Sequence, residues 1–252
     1  PAGRWFYVSA GSTVYRTPDN RRWERLDFGQ TATYGYLAVT ATSVLFHTGV
    51  AGADGGVGVY RSQDGGATWE LLAAGLADLR GAQPIVARSA DEAYFMSKTA
   101  GLYAWQPAAR RWQQIMAPDN AYSALGTLAL APDGALFLAN YDRMRRSQDR
   151  GASWSEVKMP AASGVLLGFA TNYTATQTVF GLFGSEPPRL FRSSDAGRTW
   201  TAVGANLKLP AFAYGFKLLP AADVLYLYRS DYAGQSELFR SHAASVQKVK
   251  TP

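Results

Sequence analysis

Short stretches in which apolar and polar residues alternate, each bounded by Gly, Pro, Asp or Asn, run the length of the chain and predict β-strands. They come in pairs around a tryptophan. An apolar-aromatic stretch precedes each turn (TVYRT, GVYRS, GLYAW, RMRRS, RLFRS), and a second alternating stretch opens at the Trp (WERL, WELL, WQQI, WSEV, WTAV). The tryptophans are Trp23, Trp69, Trp112, Trp154 and Trp200, at steps of 46, 43, 42 and 46 residues. A sixth unit, ELFRSHAASVQKV, keeps the first half and lacks the Trp. Between these hairpins lie two more strand-like runs per unit, such as ATYGYLAVTA and SVLFHTG, SALGTLALA and ALFLANY, or GVLLGFAT and TVFGLFG. No stretch has the length, period and caps of an amphipathic helix.

Four antiparallel strands in just over forty residues, repeated along the chain, predict an all-β fold: a β-propeller of four-stranded blades. The whole chain reads as a single propeller domain with blade units at about 1–27, 28–73, 74–116, 117–158, 159–204 and 205–252. Six blades are counted, and seven is the less favoured number. The first unit supplies only RWFYVSAG, STVYRT and RRWERL, so its blade is expected to have three strands unless residues before Pro1 add a fourth.

Three of the turns share one pattern, Ser-x-Asp-x-Gly-x-[Thr/Ser]-Trp: SQDGGATW at 62–69, SQDRGASW at 147–154 and SSDAGRTW at 193–200. Asp64, Asp149 and Asp195 can accept hydrogen bonds from N–H groups of their own turn, and Ser62, Ser147 and Ser193 can add a second local bond. Gly66, Gly151 and Gly197 permit positive φ, and Trp69, Trp154 and Trp200 can fold back over the hairpin and bury a large apolar area. A calcium site would need several oxygen ligands close together, and one carboxylate per loop falls short. The motif is therefore expected to be a repeated structural fastener. TPDNRRW and WQPAARRW look like degenerate copies that keep the shape and lose most of the chemistry.

These residues resemble the Asp-box, or bacterial neuraminidase repeat. The resemblance implies that each box joins the third and fourth strands of a blade. It also brings sialidases into consideration. A sialidase-like site needs several Arg for the substrate carboxylate, a Tyr nucleophile paired with a Glu, and an Asp acid/base. The six glutamates are few, and Glu24, Glu70 and Glu156 follow a box Trp, which places them on outer strands. YRTP at 15–18 sits in a degenerate box and not on an inner strand. No catalytic residue is assigned. The chain looks more like the propellers of photosystem II assembly factors, or the propeller ectodomains of sorting receptors, than like the enzymes.

Composition narrows the picture further. With no Cys, thiolate chemistry and disulfides are excluded; two histidines, His47 and His242, argue against a His-rich metal centre, and no metal or cofactor is expected. Zinc-protease, phosphate-loop and nucleophile-elbow motifs are absent. The net charge is +6, and 19 of the 25 basic residues are Arg, but no basic tract of the kind nucleic-acid binding needs is present. Arg16, Arg61, Arg146, Arg192 and Arg240 precede the turns. With Arg21, Arg22, Arg110, Arg111, Arg150 and Arg198 they put much of the charge on the hairpin side, as packing residues or as a basic rim. No apolar run reaches membrane-spanning length. The start at Pro1 suits a trimmed chain, and NYT at 172–174 is a glycosylation sequon if the source is eukaryotic.

Recognition is expected on the side opposite the boxes, in the segments at 27–34, 49–58, 73–83, 117–123, 184–188, 204–214 and 230–235. They and their flanks carry Tyr34, Tyr36, Asp54, Arg80, Asp119, Asn120, Tyr122, Tyr141, Asp142, Lys208, Tyr214, Asp231 and Tyr232. Tyr with small polar residues suits adaptable contacts. The expected function is a non-catalytic scaffold that docks another protein or complex, membrane-associated complexes included. A carbohydrate-binding propeller and a sialidase-like glycosidase are the alternatives. By resemblance the location is periplasmic, lumenal or extracellular, and the Ala, Gly and Arg bias fits a bacterial gene.

Overall fold

The structure, a computed structural model, describes residues 5–10, 13–27, 34–49, 58–72, 76, 82–97, 101–118, 127–140, 142–162, 166–184, 187–205, 207, 209, 216–220, 224–230, 236–242 and 245–249. It forms two compact units, Pro1–Ala124 and Leu125–Pro252, each with three antiparallel sheets.

In the first unit, β1 (Phe6–Ala10), β2 (Thr13–Thr17) and β3 (Glu24–Leu26) make a three-stranded sheet. The second sheet is β4 (Tyr34–Val39), β5 (Val44–Gly49), β6 (Gly58–Ser62) and β7 (Glu70–Leu72). The third is β8 (Ala82–Ser89), β9 (Glu92–Ser97), β10 (Gly101–Gln106) and β11 (Arg111–Met116). In the second unit, β12 (Thr127–Leu130), β13 (Leu136–Ala139), β14 (Met144–Ser147) and β15 (Ser155–Val157) form one sheet. The next holds β16 (Leu166–Phe169), β17 (Val179–Phe183), β18 (Arg189–Ser193) and β19 (Thr201–Ala202), and the last holds β20 (Lys217–Pro220), β21 (Leu225–Ser230), β22 (Ser236–His242) and β23 (Ser245–Lys248). Each sheet is a simple meander, every strand pairing antiparallel with its sequence neighbour. These six sheets are the blades of the β-propeller that the repeat predicts, and the first has three strands.

Burial explains why the strands read differently across a blade. Middle strands carry sheet neighbours on both sides and are covered on both faces, so they are almost wholly apolar: EAYFMS in β9, LFLA in β13 and VFGLF in β17 are buried throughout. The last strands of four of the sheets are short and partly exposed, as in ERL, ELL, SEV and TA. Their brevity limits the unpaired edge that these blades present.

Within the first unit, Phe95 stacks on Tyr103 at 5.2 Å and meets Trp112 edge-on at 5.0 Å, with Trp105 edge-on to Trp112 at 5.4 Å. This cluster also contains Leu45, Val59 and Leu72 of the second blade, so it is the seam between two sheets. Trp112 Nε1 donates to the Leu72 carbonyl at 3.0 Å across that seam. In the second unit, Phe137 packs on Phe169 at 5.6 Å and Phe183 meets Trp200 edge-on at 4.9 Å. A four-residue helix, α1 (Tyr173–Thr176), which the sequence pattern does not predict, lies between β16 and β17. It buries Tyr173 in that core, and Tyr173 Oη donates to Asp133 Oδ2 at 3.3 Å. Burial, with the Asp133 carboxylate beside it, raises the Tyr173 hydroxyl to about 12.

Candidate functional site

The three full boxes are superimposable in their chemistry. In the fourth-blade turn, Ser147 Oγ donates to Asp149 Oδ1 at 2.8 Å and accepts the Gly151 N–H at 2.8 Å. Asp149 Oδ1 also accepts the Ser153 N–H at 2.8 Å, and its Oδ2 takes the Ser153 hydroxyl at 2.5 Å. Ser62, Asp64, Gly66 and Thr68 repeat this at 2.8, 2.6, 2.9 and 2.5 Å, and Ser193, Asp195, Gly197 and Thr199 at 2.6, 2.8, 2.9 and 2.6 Å. Both carboxylate oxygens of every box thus accept hydrogen bonds from the loop itself.

The backbone is as constrained as the side chains. Two consecutive left-handed residues follow each box Asp: Gly65 and Gly66 (φ 78° and 95°), Arg150 and Gly151 (59° and 90°), Ala196 and Gly197 (58° and 82°). Asn20 (61°) occupies the first of these positions in TPDNRRW. That turn keeps more chemistry than its sequence indicated. Thr17 Oγ1 takes the place of the box Ser, donating to Asp19 Oδ1 at 3.2 Å and accepting the Asn20 N–H at 3.0 Å. Asp19 Oδ1 accepts the N–H groups of Arg21 and Arg22. WQPAARRW has no such carboxylate and closes with an Arg110 N–H bond to the Pro107 carbonyl at 3.2 Å.

These bonds favour the charged carboxylates. The Ser153 hydroxyl and N–H, with the Ser147 hydroxyl, hold Asp149 at about 2. The Thr68 hydroxyl and N–H hold Asp64 well below the ordinary 3.8. For Asp195, desolvation pushes upward but the Ser193 and Thr199 donors outweigh it, leaving about 2. Carboxylates depressed in the folded state bind fewer protons than in the unfolded one. For Asp149 and Asp195 the stabilisation is therefore complete at neutral pH, declines as pH falls below about 3.8 and is largely lost by about 2, while for Asp64 the loss continues to lower pH. Urea midpoints should be level from pH 7 to about pH 5 as far as these groups go, then fall toward pH 2, and Asp149→Asn should flatten part of that fall.

The boxes also join blades. The Gly65 carbonyl accepts Tyr7 Oη at 3.1 Å and Arg16 Nη1 at 2.5 Å from the first blade, and Gly66 lies against Leu26. Trp69 packs on the cluster of Val14, Leu26 and Phe46, and Gly197 lies against Phe137 of the preceding blade. Trp154 instead donates Nε1 to the Gly151 carbonyl of its own loop at 3.1 Å.

The recurring Arg before the box turns out to divide in two. Arg61 and Arg146 are buried, and Arg16 nearly so, whereas Arg192 and Arg240 are exposed. Arg61 Nη1 donates to the Ala90 carbonyl of the next blade at 3.3 Å, and its Nη2 pairs with Glu70 at 2.9 Å, as Arg16 pairs with Glu24 at 2.8 Å. Glu70 also pairs with Arg110. Of the two readings open for these residues, packing or rim charge, Arg16, Arg61 and Arg146 follow the first because the adjacent sheet offers them partners. Arg21, Arg22, Arg110, Arg111, Arg150 and Arg198 do stand exposed on the turns.

Of the expected recognition residues, Asp54, Arg80, Asp119, Asn120, Tyr122, Tyr141, Lys208, Tyr214, Asp231 and Tyr232 lie outside the described residues. Tyr34 belongs to β4. Tyr36, also in β4, packs half-buried on the seam cluster of the first unit and does not stand on a loop. Asp142 is exposed in the turn between β13 and β14. There Asn140 Oδ1 accepts the N–H groups of Asp142 at 3.3 Å and Arg143 at 2.8 Å. It borders a cleft of about 610 Å³ lined by Arg143, Met144, Glu156, Val157, Lys158, Met159, Ala161 and Ala162. Register pairs Met144 with Val157, so the cleft sits at the end of the β14–β15 hairpin away from its box.

A Tyr–Glu pair of the type a glycosidase would use is present at Tyr94 and Glu92, with Tyr94 Oη donating to Glu92 Oε1 at 3.3 Å. Both residues are buried, and Arg88 Nε binds the Glu92 carboxylate at 2.8 Å, so the pair serves the blade interior. Among the described residues no cluster of metal-ligating side chains occurs, and no helix is long and apolar enough to cross a membrane.

A family model for the BNR/Asp-box repeat matches residues 60–71, the second-blade box with its flanking strands. The chain therefore carries an Asp-box repeat on a β-propeller fold. Its fold is similar to that of the solved YCF48 bound to D1 peptide, with a TM-score of 0.64 and 14% identity over 97% of this chain and 76% of that one. It is similar too to YCF48 from Cyanidioschyzon merolae, with a TM-score of 0.64 and 12% identity over 97% of this chain and 80% of that one. No curated protein matches the chain. At these identities the likeness of the Asp-box propeller to YCF48 is one of fold.

Proposed function

We propose that this Asp-box propeller is a non-catalytic docking protein that holds a polypeptide segment of another protein or complex. The observation that carries the reading is likeness across nearly the whole chain to a propeller solved with a peptide bound. The chemistry of the boxes supports it. Their carboxylates are consumed by their own loops, and the Tyr94–Glu92 pair is buried and tied to Arg88. A periplasmic, lumenal or extracellular setting is part of the proposal and rests on resemblance to Asp-box proteins.

The test is retention from an extract of the source organism on the immobilised full chain, identified by mass spectrometry, with fluorogenic sialosides and other glycosides assayed in parallel. Saturable retention of a defined protein, with no turnover, is expected. Turnover abolished by one acidic substitution would replace docking with catalysis.

A further inference from the structure

The docking reading leaves the seat of the partner open, and the inference here rests on that reading. We propose that the cleft at the end of β14 and β15 receives a short extended segment of the partner protein. That segment lies alongside β15, with an apolar side chain at its centre and charges of both signs beside it.

Three features of the cleft point to that occupant. Its floor is apolar and continuous with the core: Met144 is buried, and Val157, Met159 and Ala161 pack half-buried on the main cluster of the second unit. Methionine side chains adapt their shape to what they contact, which suits a surface that must receive a side chain. Its rim alternates in sign, with Asp142 and Glu156 against Arg143 and Lys158. An anionic membrane or a nucleic acid would call for one sign only, whereas a polypeptide can present both. Finally, β15 is the last strand of its sheet, so every second N–H and C=O along it faces away from β14, and an extended chain can take them up by strand addition. The volume of about 610 Å³ lies within the usual range of ligand sites, about 300–1,000 Å³.

The local fold presents these groups firmly. Asn140 closes the β13–β14 turn, receiving two N–H groups at its side chain and giving its own N–H to the Arg143 carbonyl at 2.9 Å. At the opposite end of β14, the Asp149 box locks the β14–β15 hairpin.

The probe is a phage-displayed library of random heptapeptides panned on the full chain. Glu156→Lys reverses one rim charge and Met159→Lys places a charge on the floor. Both positions are solvent-accessible, and thermal melting will verify that each variant folds. Enriched peptides should share an apolar centre flanked by an acidic and a basic residue. They should bind each variant at least tenfold more weakly than the wild type. Peptides that bind both variants as tightly as the wild type, or a library with no enrichment, would overturn the cleft assignment. The docking reading itself is judged separately, by retention of a whole protein from the extract. A partner retained equally by the wild type and both variants would sink the cleft and leave docking intact.

Discussion

Replacing Trp112 with alanine is expected to lower the stability of the first unit by about 3–5 kcal/mol, among the larger losses a single core substitution produces. The side chain is almost wholly buried and sits where three rings meet, edge-on to Phe95 at 5.0 Å and to Trp105 at 5.4 Å. Alanine would leave a void that the surrounding strands cannot close, because β10 and β11 are held by their own ladder. The indole also ties two blades through Nε1 and the Leu72 carbonyl. Trp112→Phe separates these contributions: it keeps most of the apolar contact and removes the donor. The Leu72 carbonyl would lose a partner inside the seam, at a cost of about 1–3 kcal/mol. Urea unfolding followed by circular dichroism measures both variants, and a Trp112→Phe protein as stable as the wild type would show that the inter-blade hydrogen bond contributes nothing of its own.

Trp112 also shows what a sequence can reveal. Its position in the period marks a blade even though its turn has lost the Ser and Asp, because strand spacing is carried by alternation and not by the turn. The full boxes are legible for a different reason: Ser, Asp and Gly at fixed offsets form a closed set of local bonds, independent of anything distant. Thr17 and Asp19 keep the same spacing, so the chemistry of the first turn could have been read from the hydroxyl and carboxyl alone.

The Arg before the box is not legible in this way. Arg61 is buried because the Ala90 carbonyl of the neighbouring blade receives it, and Arg146 lies buried over the Phe137 ring, where it also meets Tyr173 of α1. Arg192 occupies the equivalent place and stays exposed. Nothing within the hairpin distinguishes them. Helix α1 is too short for its periodicity to register. Of the residues lining the cleft, Asp142 is a loop residue of recognisable type, but Glu156, Lys158 and Met159 join it only through the register that sets Met144 beside Val157.

Gly101 and Gly184 make the second large prediction, because they share a backbone conformation and differ in surroundings. Both are left-handed, at φ 84° and 86°. An alanine at either place should cost about 1–2 kcal/mol for that conformation alone. At Gly184 a Cβ would meet only the Pro187 carbonyl oxygen at 3.5 Å and Pro188 Cα at 3.9 Å, ordinary contacts, so Gly184→Ala should lose no more than that. At Gly101 a Cβ would overlap the Met116 carbonyl oxygen and crowd the backbone of Ala117 and Pro118. The neighbour there is main chain leaving β11 and cannot swing aside like a side chain. The register already shifts between Leu102 and Tyr103, so the ladder has taken up an irregularity at this point. Relief would require opening the β10–β11 pairing beside the Trp105–Trp112 contact. Gly101→Ala should therefore cost about 1–3 kcal/mol beyond the conformational term, the usual range for overpacking. Unfolding midpoints of the two variants give the difference directly, and a Gly101→Ala protein no less stable than Gly184→Ala would mean that the β11 exit is free to move.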